Sequence, residues 1–283
     1  MELYNIVRTS RFFRKIYLSL PLFIRRLYID IKSRRHDGWR KTEIYTSQIE
    51  GLLKLRDRHK GETCILLANG PSLKETNWDL VRSSKFPVIG LNRIAMLTGE
   101  MGFEPDYLVV IKDLVIEQFP DDISNLSSNS FVDFNSARSN TQLRQGKDIF
   151  LIGSRLSLEA DFSTDLTKGW YRGFTVTYAA LQAIFYMGFQ KVIIIGLDHN
   201  FVTPGNARRN VVSEGGDPNH FHPDYFGKGI KWALPDLLGS EKYYKVAKDA
   251  FEKDSRSIID CTKGGKCQIF NKGNLLEELG AEF

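Results

Sequence analysis

A short polar turn follows the first clear apolar run of this 283-residue chain. The run at 64–68 leads directly into Asn69, Gly70, Pro71 and Ser72. Glycine lets a backbone approach a ligand closely, proline opens a helix at its first position, and the start of a helix leaves N–H groups unpaired. The pattern therefore predicts a strand followed by an anion-binding turn. The alternative is an ordinary strand-to-helix turn capped by Asn69.

One long polar segment, residues 199–230, contains three of the five histidines: His199, His220 and His222. A neutral imidazole can take a proton from a hydroxyl near neutral pH, so His220 or His222 is a candidate general base. Two alternatives stay open. The His-x-His pair could bind a metal with Asp217 or Asp224, or one histidine could satisfy a buried backbone carbonyl.

Apolar runs bounded by turn residues alternate with helical patterns along the chain, which predicts a mostly parallel, helix-covered α/β sheet of the Rossmann-like type. The predicted strands are 64–68, 87–91, 107–111, 130–134, 149–152, 192–195 and 257–259, and the clearest predicted helices are 45–58, 176–187 and 240–252. Residues 199–230 are expected to form a lid or an acceptor-side wall, because long loops at carboxyl strand ends usually carry ligands.

Polar residues that follow these strands are further candidates, since open α/β sheets bind ligands beyond the carboxyl ends of their strands. They are Asn92, Lys112, Asp113 and Asp198. Asn92 could instead cap the next helix, and Lys112 with Asp113 could be a surface pair.

Several chemistries lose support because their motifs are absent. The sequence has no GxGxxG fingerprint, P-loop lysine pattern, Gly-x-Ser-x-Gly elbow or strand-end Asp-x-Asp. Dehydrogenase, Walker-type kinase, hydrolase and metal-dependent diphosphate-sugar transferase are therefore not favoured. Cys64, Cys261 and Cys267 are too few for a disulfide framework and lack the pairing of a zinc site, so a reducing, cytoplasmic setting is expected.

The basic charge is concentrated at the N-terminus, where residues 1–41 contain eleven Lys or Arg and three acidic residues. Aromatic and aliphatic residues interleave with these cations, which predicts amphipathic helices, broken near Pro21, that suit an anionic membrane surface. The longest apolar piece, 16–24, is shorter than the roughly 20 residues of a spanning helix. We expect a basic arm over 1–45 and a catalytic domain over 46–283. The arm could instead dock on the domain or on a second subunit.

Specific motifs between residues 62 and 270 resemble the bacterial family-42 sialyltransferases, and still more closely the related motility-accessory-factor (Maf) glycosyltransferase-like proteins. They are Asn69-Gly70-Pro71-Ser72-Leu73, Asn92, Thr175-Val176-Thr177 and the stretch from Gly188 to Gly196-Leu197-Asp198. The first-loop and Gly-Leu-Asp motifs are also shared with archaeal pterin pyrophosphokinases.

The sialyltransferase resemblance implies a Rossmann-like domain, a variant of the GT-A fold, that transfers a CMP-activated acidic sugar with inversion and needs no metal or other cofactor. Nucleotide binding is assigned to Asn69, Gly70, Pro71, Ser72, Asn92, Asp113, Thr175, Thr177 and Asp198. The resemblance implies that His220 is the base, with His222 a close rival. Arg172 would pair with the sugar carboxylate, a role that suits a guanidinium.

One departure from the sialyltransferase pattern concerns the leaving phosphate. The family has tyrosines after its Gly-x-Asp motif, whereas His199, Asn200 and Phe201 follow here. Stabilisation of the phosphate is therefore assigned to His199, Tyr225, Arg208 or Arg209. A monophosphate leaving group needs only helix-start N–H groups and a few hydroxyl donors.

These expectations describe a peripheral enzyme on the cytoplasmic face of a bacterial membrane that adds an acidic sugar to a saccharide hydroxyl during surface polysaccharide synthesis. Its partners would be a nucleotide-sugar donor, a free or lipid-linked saccharide acceptor and the membrane surface, with no nucleic acid. The oligomeric state stays open. The alternatives are a 6-hydroxymethylpterin-type pyrophosphokinase that uses ATP and magnesium, and a non-catalytic nucleotide-binding protein anchored by the arm.

Overall fold

The computed structural model describes residues 19–21, 23–24, 27, 37–146, 148–157, 159–202 and 205–280. The predicted N-terminal amphipathic helices lie mostly outside these residues. The strands are β1 (Thr63–Leu67), β2 (Val88–Leu91), β3 (Tyr107–Val110), β4 (Asn129–Asp133), β5 (Ile149–Ile152), β6 (Lys191–Ile195), β7 (Asn210–Val212), β8 (Lys231–Ala233), β9 (Ser257–Asp260) and β10 (Asn271–Lys272).

Eight of these strands form one sheet in the order β10-β9-β6-β1-β2-β3-β4-β5, and all neighbouring strands are parallel. The chain builds outwards from β1 to β5 and then returns to place β6 on the other side of β1. Such a reversal of strand order opens a crevice at the carboxyl ends of the two central strands. The predicted α/β Rossmann-like class is confirmed, and the antiparallel pair β7–β8 lies outside this sheet.

The helices cover both faces of the sheet, as predicted. They are α1 (Glu43–Leu55), α2 (Trp78–Ser83), α3 (Thr98–Met101), α4 (Asp113–Gln118), α5 (Asp121–Ser124), α6 (Phe134–Ala137), α7 (Thr141–Gln145), α8 (Val176–Tyr186), α9 (Leu237–Lys253) and α10 (Leu275–Glu278), with short 3-10 helices at Asp37–Lys41, Pro71–Glu75, Ile94–Leu97 and Leu166–Lys168. Helices α1, α8 and α9 pack on one face. The shorter helices and the segment 221–234 pack on the other.

The central strands are apolar throughout because both of their faces are buried. In β1, Cys64 and Leu66 face the α8 side, whereas Ile65 and Leu67 face the opposite side. Helix α8 is also buried on nearly every side, which explains its almost uniformly apolar sequence. It starts at the cap residue Thr175, whose hydroxyl accepts the N–H of Thr177, and so fixes the end of the helix that faces the crevice.

The described part of the predicted arm from Asp37 onward packs against the sheet domain. Trp39 is buried, with its ring 4.8 Å from that of Tyr45 and 6.2 Å from that of Phe134. The division of the chain at residue 45 stays a prediction. Within the described ranges, no helix combines the length and the apolar character needed to cross a membrane.

Candidate functional site

The crevice between β1 and β6 is closed at its base by a carboxylate of the protein itself. In the β1 turn (residues 69–72), Ser72 donates its N–H to Asp198 Oδ1 at 3.2 Å and its hydroxyl to Asp198 Oδ2 at 2.7 Å. Burial raises the pKa of Asp198, and the two bonds from Ser72 act in the opposite direction. The Asp198 carboxylate therefore accepts the hydrogen bonds from Ser72 that the sequence pattern predicted for an external anion.

Gly70 is required here for space rather than for an unusual backbone angle. Its φ is −73°, which any residue can adopt, and its N–H bonds the carbonyl of Gly196 at 2.9 Å. A Cβ on Gly70 would lie 1.8 Å from Asp198 Oδ2. The glycine thus permits close approach, as expected, but the group that approaches is Asp198. Pro71 opens the following 3-10 helix, as predicted.

Two amide side chains at the ends of β1 and β2 have buried oxygens without a partner. Neither Asn69 Oδ1 nor Asn92 Oδ1 forms a hydrogen bond within the described residues. The alternative that both asparagines serve as helix caps is wrong, because Gly70 and Arg93 occupy the cap positions. An unpaired buried acceptor costs about 1–3 kcal/mol. Such a group calls for an explanation, and a donor on a ligand would supply its missing partner.

The His220 loop (residues 217–226) lies directly against the β1 turn. The N–H of Phe221 bonds the carbonyl of Asn69 at 3.0 Å, so the two segments share one edge of the sheet and touch. The side chain of Asn219 holds the loop to Val202 through two hydrogen bonds of 2.7 and 3.0 Å. Phe221 and Tyr225 are buried. The loop is therefore a packed wall of the crevice.

His220 forms a tight pair with Asp217. Its Nδ1 lies 2.7 Å from Asp217 Oδ2, and the two side chains are 11% and 4% exposed. Its ring stacks on Tyr225 at 4.0 Å between centroids, with an angle of 1° between planes. A carboxylate at Nδ1 makes that nitrogen the donor and leaves Nε2 of the neutral ring as an acceptor. Nε2 has no hydrogen-bond partner within the described ranges. This is the arrangement that a general base requires.

The other two histidines of the segment are engaged differently. His222 Nδ1 accepts the N–H of Asp224 at 3.0 Å, which is a local turn contact. His199 is buried, and its Nε2 lies 3.0 Å from Glu241 Oε1. The metal alternative finds no support, because no three His, Cys, Asp or Glu side chains in the described part of the chain are grouped to hold a metal ion.

Tyr225, assigned above to the leaving phosphate, lies under His220. It is buried, and its hydroxyl oxygen accepts the N–H of Arg93 at 3.4 Å. Burial raises the pKa of Tyr225, and Arg93 and the Asn92 side chain oppose the rise. The tyrosine thus connects the base candidate to the buried amide of Asn92.

Arg172, expected to bind a sugar carboxylate, is held by carboxylates of the protein. Its Nη2 lies 2.6 Å from Asp113 Oδ1 and bonds the carbonyl of Ile111, and its Nη1 lies 3.8 Å from Asp133 Oδ1. Ser136 donates to both acids, at 2.5 and 3.0 Å. Asp113 is therefore the partner of Arg172. Sequence reasoning missed Asp133, although an acid that ends an apolar strand was a usable signal.

Thr175 and Thr177 form a separate polar group with Tyr244. Thr175 Oγ1 lies 3.2 Å from the Tyr244 hydroxyl. Burial raises the pKa of Tyr244 to about 12, and hydrogen bonds with both threonines oppose the rise. The ring of His199 is 6.1 Å from that of Tyr244, so the predicted donor contacts and the His199–Glu241 pair share one side of the crevice.

The fold and this crevice define an α/β protein with a Rossmann-like parallel sheet and a polar site at its switch point. The family model described as "MptE-like: 6-hydroxymethylpterin diphosphokinase MptE-like" matches residues 42–203. Because that match covers more than half of the chain, the protein belongs to this family. The match includes the β1 turn, Thr175 and Asp198, and it ends before the His220 loop.

The chain is also similar to a solved structure, described as the MAf glycosyltransferase from Magnetospirillum magneticum AMB-1. The two sequences are 12% identical, the alignment covers 85% of this chain and 39% of the other, and the TM-score is 0.46. The chain thus spans well under half the length of that protein. No curated protein matches the sequence significantly.

Proposed function

We propose that the protein is an inverting glycosyltransferase that moves an acidic sugar from a CMP-activated donor to a saccharide hydroxyl. The observation that carries the proposal is the contact between the His220 loop and the β1 turn through Phe221 and Asn69. It joins a histidine–carboxylate pair to a turn whose asparagine has a buried, unpaired oxygen. The proposed base and the proposed ligand-binding amide therefore lie at the same edge of the sheet.

The two unpaired amide oxygens support a base with an exocyclic amino group. Cytosine and adenine carry such a donor on their pairing edges, whereas uracil and thymine carry a carbonyl there. Asn69 and Asn92 each offer a buried acceptor. A nucleotide whose base carries an exocyclic amino group, which is cytidine, adenosine or guanosine, is therefore favoured over a uridine or thymidine nucleotide.

In the proposed reaction His220 Nε2 takes the proton of the acceptor hydroxyl. The acceptor oxygen then forms a bond to the anomeric carbon from the face opposite the phosphate. The bond between that carbon and the phosphate oxygen breaks, and CMP leaves with the electron pair. Asp217 keeps the Nδ1 proton in place and stabilises the imidazolium that forms.

The charge of the crevice favours a monophosphate over a polyphosphate. Ser72 already binds the carboxylate of Asp198 through its N–H and its hydroxyl. An incoming chain of phosphates would bring several negative charges towards this carboxylate, and like charges at short range repel strongly where water is excluded. A nucleoside monophosphate brings fewer.

The family match favours a second candidate, a pterin diphosphokinase that uses ATP. The hydroxyl of a hydroxymethylpterin would attack the β-phosphorus, and AMP would leave. Mg²⁺ held with ATP commonly takes one or two protein carboxylates. At the strand ends, Asp113 is paired with Arg172 and Asp198 with Ser72, so both acids are engaged by protein donors. These residues fit their present partners better than they fit a magnesium ion.

The released nucleotide distinguishes the two candidates. The full chain is incubated separately with a panel of CMP-sugars and with ATP, magnesium and 6-hydroxymethylpterin. Release of CMP that is unaffected by a chelator is the expected result. Release of AMP in the second reaction, with no CMP in the first, would establish the diphosphokinase instead.

We also propose that the arm binds the anionic cytoplasmic face of a membrane. The support is the surplus of Lys and Arg in residues 1–41 and the exposure of Phe23 and Leu27, at 71% and 58%. The test is co-sedimentation of the full chain with vesicles of phosphatidylserine and phosphatidylcholine. A Phe23→Ser, Leu27→Ser variant is expected to stay in the supernatant. Equal sedimentation of both proteins would contradict the proposal.

A further inference from the structure

A cavity of about 530 Å³ lies beside the crevice. Among its lining residues, only Arg208 has been assigned above, as a candidate for stabilising the leaving phosphate. Its walls include Phe174, Arg208, Asp236, Lys242 and Tyr243. Small-molecule sites typically measure about 300–1,000 Å³ and combine apolar or aromatic walls with a few placed polar groups. The cavity meets this description in size, and its lining combines two aromatic rings with four charged side chains.

Arg208 is the most firmly held polar group of the cavity. Its Nε and Nη2 lie 2.6 and 2.5 Å from Asp236 Oδ2, and its guanidinium carbon lies 3.8 Å from the centre of the Phe174 ring. Asp236 is fixed in turn as the cap of α9, where it accepts the N–H of Gly239 at 2.9 Å. Arg208 Nη1 has no hydrogen bond to any residue of the described ranges. A preorganised guanidinium thus keeps donors available for a ligand.

The aromatic wall is held with similar firmness. Tyr243 packs edge-to-face on Phe174 at 5.4 Å and on Tyr178 at 4.9 Å. Tyr243 is half-buried, and burial raises its pKa while the charge of Arg208 lowers it, so the two side chains are close. An aromatic ring beside anchored hydrogen-bond donors suits a sugar, whose C–H face packs on the ring while its hydroxyls meet the donors.

The cavity lies next to the crevice along the chain, because residues that line the one are neighbours of residues that line the other. Phe174 lines the cavity and the next residue, Thr175, contacts Tyr244. Tyr243 lines the cavity beside Tyr244, and Lys242 follows Glu241, the partner of His199. Consecutive Cα atoms are about 3.8 Å apart. The cavity therefore adjoins the proposed donor contacts at two places along the chain, around Phe174 and around Tyr243.

The β7–β8 hairpin connects the cavity to the base as well. The N–H of Arg208 bonds the carbonyl of Leu234 at 2.9 Å, just beyond β8. Trp232, in the middle of β8, has its ring 6.4 Å from that of His220. The β7–β8 pair thus links the segment that carries Arg208 to a ring that contacts His220.

We infer that this cavity is the acceptor subsite, which binds the saccharide whose hydroxyl His220 deprotonates. The inference rests on the proposed glycosyl transfer. Tyr243 provides the packing face, and Arg208 and Lys242 provide hydrogen bonds to hydroxyl or carboxylate oxygens of the sugar. Neither the family match, which ends at residue 203, nor the motifs quoted above place an acceptor here.

Saturation-transfer NMR on the full chain tests the inference without turnover. The probes are the methyl glycosides of a hexose, an N-acetylhexosamine and a uronic acid. At least one is expected to bind the unmodified protein and to bind Tyr243→Ala and Lys242→Ala roughly tenfold more weakly, a change of about 1.4 kcal/mol. Lys245→Ala is the matched control, because Lys245 is an exposed lysine of the same helix outside the cavity. Thermal unfolding of each variant shows whether it is folded.

The outcomes separate the inference from the proposal on which it rests. Unchanged binding by Tyr243→Ala and Lys242→Ala, or no binding of any glycoside by the unmodified protein, would overturn the subsite. Release of CMP from CMP-sugars without added glycoside tests the transferase separately. If CMP is released and the variants bind glycoside normally, the acceptor lies elsewhere and only the subsite is lost.

Discussion

The two halves of the carboxyl edge of the sheet satisfy their polar groups to very different degrees. At the ends of β3 and β4, the side chains of Arg172, Asp113 and Asp133 are joined to one another and to Ser136. At the ends of β1 and β2, Asn69 and Asn92 each keep a buried oxygen without a partner in the described chain.

This difference indicates which half is built for stability and which for a ligand. Polar groups that pair internally stabilise the fold, whereas unpaired buried groups lower its stability and persist where function requires them. The unpaired Nε2 of His220 lies on the same side as the unpaired asparagine oxygens, across the contact between Phe221 and Asn69. Substitutions in the two halves should therefore affect different measurements.

The largest effect is expected from His220→Ala, which removes the proposed base. The rate of CMP-sugar turnover should fall roughly 10²-fold or more, because general base catalysis contributes factors of that order. The measurement is kcat from CMP release in the presence of acceptor. His222→Ala is the control and should keep most of the rate, since its Nδ1 serves a local turn. A larger loss for His222→Ala would move the base to that residue.

A large effect on stability is expected from Asp133→Ala, at the ends of β3 and β4, where the polar groups are paired within the protein. The variant loses the cap of α6 and leaves the Ser154 hydroxyl and Arg172 without this fully buried carboxylate. Loss of a cap and of buried hydrogen bonds should together lower the free energy of unfolding by about 2–4 kcal/mol. Urea denaturation provides the measurement.

The matched control in the same cluster is Asp113→Ala. The Asp113 side chain is 47% exposed, so its pair with Arg172 is screened by water and should contribute less than about 1 kcal/mol. Equal losses for the two variants would show that Arg172, rather than burial, determines the stability of this half.

A smaller effect, on ligand affinity, is expected at Asn92, whose φ is +48°. Asn92→Gly should keep the stability of the fold, because glycine adopts this conformation readily, but should weaken CMP binding roughly tenfold through loss of the amide. Asn92→Ala should weaken binding equally and also destabilise the fold by about 1 kcal/mol. Isothermal titration and thermal unfolding separate the two effects. Undiminished CMP affinity in Asn92→Gly would contradict a ligand role for this amide.

The same contrast shows what the sequence could predict. All seven predicted strands are present within one or two residues, because strands buried on both faces are recognisable as unbroken apolar runs. The predicted helices 176–187 and 240–252 correspond to α8 and α9. The hairpin β7–β8 and the edge strand β10 were not predicted, since they have two or three residues each and are partly or fully exposed.

The sequence pointed to several residues that lie at this edge of the sheet, but not to the pairs that they form there. The sequence identified Asp198, Arg172 and His220, yet it assigned Asp198 and Arg172 to ligands that the structure replaces with Ser72 and Asp113. These partners are 126 and 59 positions away along the chain, and only the fold brings them together. Asp217, three residues before His220, was within reach of the sequence, where it was considered only as a metal ligand.

The smallest effect is expected from Asp198→Asn, as a dependence of stability on pH. Because burial raises the pKa of Asp198 above its ordinary value of 3.8, the unfolded chain releases this proton before the folded chain does. The wild-type protein therefore loses stability as the pH rises from 3.8 through the higher pKa that Asp198 has in the folded state. Above that pKa, the lost stability is not regained. Asparagine does not titrate, and its oxygen can still accept the N–H of Ser72.

The difference in Tm between Asp198→Asn and the wild type should therefore move in favour of the variant as the pH rises from 3.8 through the higher pKa of the folded state. Circular dichroism melts over this range provide the measurement. Ser72→Ala removes the single hydrogen bond from the Ser72 hydroxyl to Asp198 and keeps the bond from the N–H. The hydroxyl bond opposes the rise in the pKa of Asp198, so in that background the pH dependence should become steeper. If the difference in Tm moved in favour of the wild type as the pH rises, the hydrogen bonds from Ser72 would lower the pKa of Asp198 more than burial raises it. The β1 turn would then bind the Asp198 carboxylate tightly. Like Arg172 and Asp133, it would belong to the part of the sheet edge whose polar groups are paired within the protein.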